Sequence, residues 1–250
     1  MERHNNRSNY IFGIRAILEA IEAGRVIDKV LIRTDLNGDL AQELLRAVKQ
    51  NNILFQRVPV EKLNRITQKN HQGAIATLSP VAYHSLANLL PSLYEEGKMP
   101  FIMVLDGLTD TRNFGAIART ASCAGVDAIV IPERNSVSVT PDAVKTSAGA
   151  LMSIPVCREK NILQAVRELQ SNGVKVIGAS EKASANYTLV EMNVPVAIVM
   201  GAEDTGISND VLRQCDELAA IPIFGPIGSL NVSVAAGLMM YEAVRQRGNG

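Results

Sequence analysis

The sequence predicts an α/β chain in two parts, a small N-terminal α/β domain followed by a larger domain built on a doubly wound parallel sheet. Three observations carry this reading. Beyond residue 100, continuous apolar, β-rich runs alternate with helical stretches, as strands buried on both faces and joined by helical crossovers should. Between Ser85 and Pro100, two prolines and a glycine interrupt the pattern, the composition of a linker with one short helical turn. The charge changes sign across that interruption: residues 1–84 carry 12 Lys/Arg against 8 Asp/Glu, and residues 99–250 carry 12 against 15. The expected organisation is therefore a domain over 1–84, a linker over 85–98 and a domain over 99–250.

In the first part, Gly13–Ala23 and Leu40–Lys49 have helical apolar spacing, while Val26–Arg33, Ile53–Val58 and Gly73–Ser79 read as strands. The stretch Lys49–Gln72 reads as largely polar. Arg57, Lys62 and Arg65 stand there among Asn and Gln side chains, a mixture suited to phosphates and sugar hydroxyls or simply to a solvated surface. In the second part, strands are expected at Phe101–Leu105, Ala128–Ile131, Val174–Ala179 and Val196–Met200. Helices are expected at Phe114–Ala124, Pro141–Ala150, Ile162–Ser171, Asn209–Gln214 and Asn231–Arg247. A sheet of this kind takes its ligands at the carboxyl ends of the strands.

Composition narrows the function classes. The 250 residues hold 47% hydrophobic and 20% charged side chains, which excludes a largely disordered chain. Lys plus Arg equals Asp plus Glu at 25 each, and that zero taken alone argues against a nucleic-acid binder; the split between the two parts removes the force of the average. Tryptophan is absent and aromatics make up 4%, which disfavours ladders of base-stacking side chains. Cys123, Cys157 and Cys215 lie far apart without metal-ligand spacing, so reduced thiols and no metal are expected. Met1–Ser8 lacks the apolar stretch of a secretory signal, and the longest apolar run, Val194–Met200, is far short of a membrane span. The expectation is a soluble, cytoplasmic protein.

Three strand-to-helix junctions hold residues that a purely structural loop does not need. In the first, Leu105 to Ala121, a helix is expected to begin near Asn113, with Arg119 six residues on. Six helical steps turn about 600°, which leaves Arg119 roughly 120° round the axis from Asn113. Asn113 can be a helix cap, and an arginine among Ile117, Ala118 and Ala121 would be costly to bury unpaired. In the second, Ile198 to Ser208, Gly201 permits close backbone approach of a ligand, Gly206 permits a positive-φ turn, and Glu203 stands between them. In the third, Ile221 to Gly237, a Pro/Gly loop leads to Ser229 and Asn231 at a helix start, where free N–H groups and short polar side chains can hold a carboxylate. No dinucleotide fingerprint, P-loop or nucleophile elbow is present, and His4, His71 and His84 all precede the second domain, so a Ser-His-Asp hydrolase is disfavoured.

Taken together, Asn113-Phe-Gly-Ala-Ile-Ala-Arg119-Thr-Ala, Met200-Gly-Ala-Glu203-Asp-Thr-Gly and Ser229-Leu-Asn231-Val-Ser-Val-Ala-Ala resemble the three motifs of the SpoU (TrmH) family of RNA ribose 2′-O-methyltransferases. Tyr10-Ile-Phe-Gly-Ile-Arg-Ala-Ile-Leu-Glu-Ala and His71-Gln-Gly-Ala-Ile-Ala resemble that family's RNA substrate-binding domain, so the resemblance covers nearly the whole chain. It implies a Rossmann-like catalytic domain whose C-terminal segment, roughly Val199 to Val234, is threaded as a deep trefoil knot, contrary to the general rarity of knots. It implies S-adenosylmethionine as cofactor and a homodimer. Backbone groups at Gly201, Ile221 and Leu230, with Met200 and Ala179 beside them, are expected to hold the cofactor. Asn113, Glu203, Ser229 and Asn231 are expected to shape the site, with Arg119 as the catalytic residue, a literal base or an electrostatic stabiliser. Arg57, Lys62 and Arg65 are expected to meet RNA. The two-domain layout is most similar to family members that methylate a guanosine ribose in 23S ribosomal RNA; transfer RNA as substrate, or a non-catalytic RNA-binding protein of the same fold, are the alternatives.

Overall fold

A computed structural model describes residues 9–248, so the N-terminal reading of Met1–Ser8 falls outside the described residues. The chain divides into two compact units between Ala82 and Tyr83.

The first unit runs β1 (Tyr10–Phe12), α1 (Ile14–Glu22), β2 (Ile27–Arg33), α2 (Asp39–Gln50), β3 (Phe55–Val58), α3 (Val60–Ile66) and β4 (Ala74–Leu78). The sheet order is β1-β4-β2-β3, with β2 and β3 parallel and β4 antiparallel to both β1 and β2. Period-2 alternation in β2 sends Val30 and Ile32 to one face, where they pack with Ile17 of α1 and with Leu44 and Val48 of α2. Leu31 points the other way, into a smaller cluster with Val58, Leu63 and Ile75. Two elements lie where no regular structure was expected. β1 is too short to show periodicity, and α3 occupies part of the stretch read as polar, because only Leu63 of its seven residues is buried.

The second unit opens with α4 (Leu86–Glu95) and continues β5 (Phe101–Asp106), α5 (Thr111–Cys123), β6 (Ala128–Pro132), α6 (Pro141–Thr146), β7 (Val156–Glu159), α7 (Ile162–Ser171), β8 (Lys175–Ala179), β9 (Ala185–Asn186), β10 (Val196–Gly201), α8 (Asn209–Gln214), β11 (Glu217–Ala220) and α9 (Val232–Arg247). Its seven strands are all parallel in the order β7-β6-β5-β10-β8-β11-β9. β10 is buried at all six positions and lies between β5 and β8, where the strand order turns back on itself and open α/β sheets place their ligands.

The linker expectation is corrected here. Residues 85–98 hold a ten-residue helix whose Leu86, Leu90 and Leu93 enter the core of the second unit. That i, i+4, i+7 burial outweighs the hydrogen bond lost at Pro91 inside the helix. His84 also belongs to the second unit, where its N–H donates to the Val156 carbonyl at 2.9 Å. Among the described residues, no helix is long and apolar enough to cross a membrane, and no three His, Cys, Asp or Glu side chains gather as a metal site.

Candidate active site

The loop after β10 is closed by its own backbone. Ala202 and Gly206 exchange two main-chain hydrogen bonds, 2.9 and 3.2 Å long, and Gly206 takes the expected positive φ, +68°. The need for glycine at 201 differs from the expectation. A Cβ there would lie 2.0 Å from the carbonyl carbon of Gly206 and 2.1 Å from the nitrogen of Ile207, so the close approach is made by the chain itself. Asp106 at the end of β5 anchors the same loop, its Oδ2 accepting from the Ser208 N–H at 2.7 Å.

This closed loop presents Glu203 to the two other junctions. Asn113 Nδ2 donates to Glu203 Oε1 at 2.7 Å, and Asn231 Nδ2 donates to the same oxygen at 2.9 Å and to Asn113 Oδ1 at 3.1 Å. One carboxylate oxygen thereby joins the ends of β5 and β10 to the start of α9, and both donors are amides fixed by helix starts. Asn113 is not itself a cap: Asp110 caps α5 and accepts from the Asn113 N–H at 2.7 Å. Asn231 is the cap of α9, its Oδ1 accepting from the Ser233 N–H at 2.9 Å and from the Ser233 hydroxyl. Glu203 is thus held by side-chain amides, not by the N–H groups of the helix start, one of which the asparagine satisfies.

A cleft of about 640 Å³ opens beside this clasp, within the range of small-molecule sites. Ala179, Met200, Gly201, Ile221 and Leu230, the five residues assigned to the cofactor, all line it, as do Glu203, Ser229 and Asn231. Asn113 is joined to it through its hydrogen bonds. Arg119 does not line it: the side chain is exposed and, among the described residues, makes no hydrogen bond or ion pair. The argument from the cost of burial therefore does not apply to it. Asp106, Asp110 and Ser233 were missed; the first two stand at strand-end and cap positions that a stricter reading of the first junction would have marked.

The cleft fits S-adenosylmethionine on its own chemistry. Residues 221–230 lie outside helix and strand, and none joins a main-chain hydrogen bond among the described residues, so the peptide groups of Ile221 and Leu230 retain capacity for a polar heterocycle. Glu181, Glu203 and Asp204 outnumber Lys182 in the wall, which favours a cationic sulfonium. In the first unit Arg57, Lys62 and Arg65 are all exposed. Arg57 Nη1 donates to the Thr34 carbonyl at 2.8 Å. Partial burial, and after it the nearby Lys62 ammonium, hold Lys29 below the ordinary lysine range.

Comparison with known proteins agrees with this geometry. Residues 100–241 match the SpoU rRNA Methylase family, and residues 10–84 match the RNA 2′-O ribose methyltransferase substrate-binding domain. A protein of Staphylococcus saprophyticus named as a TrmH family tRNA/rRNA methyltransferase is 37% identical over 237 residues, covering 95% of each chain; one of Staphylococcus aureus is 38% identical, covering 95% of this chain and 96% of its own. The SpoU methyltransferase AviRb from Streptomyces viridochromogenes, solved with AdoMet, aligns at TM-score 0.61 and 25% identity over 96% of this chain and 91% of its own. The A. aeolicus TrmH/SpoU tRNA modifying enzyme aligns at TM-score 0.55 and 26% identity over 66% of this chain and 85% of its own. The chain belongs to the SpoU methylase family and is an S-adenosylmethionine-dependent RNA methyltransferase with a Rossmann-like catalytic unit.

Proposed function

We propose that the protein methylates a ribose 2′-hydroxyl of ribosomal RNA, at a guanosine of the 23S molecule, in the cytoplasm. The observation that carries the chemistry is the clasp of Asn113, Glu203 and Asn231 beside the cleft. The ribosomal assignment draws on the matched family and on the separate substrate-binding unit, whereas the A. aeolicus tRNA modifying enzyme aligns with only 66% of this chain.

S-adenosylmethionine supplies the electrophilic methyl group, so the protein has to orient and activate a weak alcohol nucleophile. Backbone groups of Gly201, Ile221 and Leu230 hold the cofactor, with Met200 and Ala179 as walls. Glu203 spends Oε1 on two amide donors, which leaves Oε2 for substrate, while Ser229 adds a hydroxyl in the same wall. An arginine stays protonated in the pH range of enzymes, so Arg119 acts as a cation. It positions an RNA phosphate and stabilises the developing alkoxide, and the hydroxyl proton passes to phosphate or solvent.

The apolar stripe Val234, Leu238 and Tyr241 on α9, each 38–51% exposed, is assigned to a second copy of the chain, and Val199–Val234 to the trefoil knot. Sedimentation as a monomer at micromolar concentration overturns the dimer. Transfer of labelled methyl groups to ribosomal and transfer RNA, followed by mapping of the modified nucleotide, tests the substrate. Labelling confined to transfer RNA overturns the ribosomal assignment, and cofactor binding without transfer to any RNA marks a non-catalytic member. A pH–rate limb that moves with the side chain in Arg119→Lys makes Arg119 a literal base; an unmoved limb supports the cationic role.

A further inference from the structure

The sheet of the first unit is covered unequally. α1 and α2 close one face, but α3 is seven residues long, about 10 Å, and closes only part of the other. Its Leu63 seals the row that contains Phe12, Ile75 and Leu31. The next row on the same face, Tyr10, Thr77 and Lys29 side by side across β1, β4 and β2, is not buried at any position.

Two residues apart on an edge strand, Tyr10 and Phe12 share that face. Their rings stack with centroids 6.2 Å apart and planes inclined by 22°. Tyr10 is the more exposed ring, at 39%, and the Lys69 ammonium lies 5.8 Å from the centroid of Phe12. Lys62 on α3 acts electrostatically on Lys29 in the open row. An aromatic pair thus sits in an open stretch of sheet among three lysines, in a chain with no tryptophan and only five tyrosines and five phenylalanines.

We propose that this face binds unpaired nucleotides of the RNA substrate, a base stacking on the Tyr10–Phe12 pair while Lys29, Lys62 and Lys69 meet the flanking phosphates. The proposal rests on the reading of the first unit as the RNA-holding part of the enzyme. Ring faces beside cations suit a nucleobase with its phosphates. Bases in a duplex keep their faces stacked on one another, so only unpaired ones can use the platform. An acidic peptide satisfies the lysines but leaves the ring faces without a partner.

The test is fluorescence anisotropy of the full chain with a labelled 12-nucleotide unpaired RNA and a 12-base-pair duplex, in wild type and in Tyr10→Leu, Tyr10→Phe and Lys69→Gln. Tyr10→Leu is expected to weaken single-strand binding by about 5- to 100-fold and duplex binding by less than about twofold. Tyr10→Phe keeps wild-type affinity, and Lys69→Gln lowers the salt slope by about one phosphate contact. Zero-length ultraviolet cross-linking in the wild type gives a readout independent of variant folding, with the cross-linked peptide expected to contain Tyr10 or Phe12. Unchanged single-strand affinity in folded Tyr10→Leu overturns the proposal, as do cross-links confined to other peptides. If wild type methylates ribosomal RNA and Tyr10→Leu does so with the same KM and affinity, this surface alone is refuted. If wild type methylates no RNA while Tyr10→Leu still loses single-strand binding, the enzymatic assignment fails and the surface stands.

Discussion

Asn231→Asp separates the two duties of one side chain. Aspartate caps helices as well as asparagine does, so the bonds from the Ser233 N–H and hydroxyl to position 231 survive. The other side-chain atom changes from donor to anion. It would stand where Nδ2 now lies, 2.9 Å from Glu203 Oε1 and 3.1 Å from Asn113 Oδ1. Like charges at that separation oppose each other by ~1.4–6 kcal/mol between bulk and near-surface screening; relaxation of exposed side chains leaves ~1–3 kcal/mol, about 5- to 150-fold. Calorimetric titration with S-adenosylmethionine and methyl transfer should both fall by that factor at pH 8, and because the repulsion acts in the folded state Tm should fall as well, by roughly 2–4 °C per kcal/mol. Both should recover as pH falls toward 5, because a proton shared between the two carboxylates removes the repulsion. Asn231→Ala removes the cap and the clasp donor together: loss of the cap, about 1 kcal/mol, lowers Tm by roughly 2–4 °C, and acid restores neither stability nor binding. Wild-type affinity and transfer at pH 8 in Asn231→Asp, or a deficit that acid does not relieve, would refute the clasp.

Three further outcomes follow from the second unit. Gly201→Ala drives a methyl into the backbone of Gly206 and Ile207, so urea unfolding should show a loss of roughly 3 kcal/mol or more together with lost cofactor binding; a loss below about 1 kcal/mol would mean that the loop yields. Burial pushes the Cys157 and Cys215 thiols up to about 12, whereas Cys123 is exposed, so a disulfide reagent at pH 8 should label one thiol rapidly and two slowly in the native protein, and three equal phases would contradict that burial. The Arg245 hydrogen bonds hold the Glu242 carboxyl below its ordinary value of 4.5; a lowered folded-state pKa gives stability present above 4.5 and lost as pH falls through the folded value, so Glu242→Gln should flatten the acid limb of Tm against pH, and an unchanged limb would remove Glu242 from it.

Legibility in the sequence followed the strength of the local signal. α7 (Ile162–Ser171) and α8 (Asn209–Gln214) have the bounds their apolar spacing predicts. β7 and β11 escaped because four residues containing Arg158 and Glu159, or two alanines after Glu217, form no continuous apolar run. α4 escaped because Pro91 was read as a breaker, while burial of three leucines decided the matter. The cleft wall was legible because its residues sit beside glycines and prolines at strand ends. The reason for Gly201 was not, since the atoms that forbid a Cβ are five and six residues further on and meet it only after the loop closes. Nor could spacing reveal that Asn113 and Asn231 share one carboxylate oxygen, because 118 residues separate them.

Whole-chain averages do not say where on the chain the residues stand. A net charge of zero concealed a basic first part, and an aromatic content of 4% weighs against ladders of stacking side chains without fixing where the few rings stand. Stacking needs only adjacent rings on an open surface, and three residues of β1 suffice to place two of them on one face. Phe101 and Phe114 show the alternative fate, at 2% and 0% exposure inside the second unit. Few aromatics exclude a long ladder of bases, and they leave room for a single unpaired nucleotide held by one pair of rings. The two cases differ in the length dependence of RNA binding: a single platform requires affinity to level off within a few unpaired nucleotides, whereas a ladder requires it to rise with every base added.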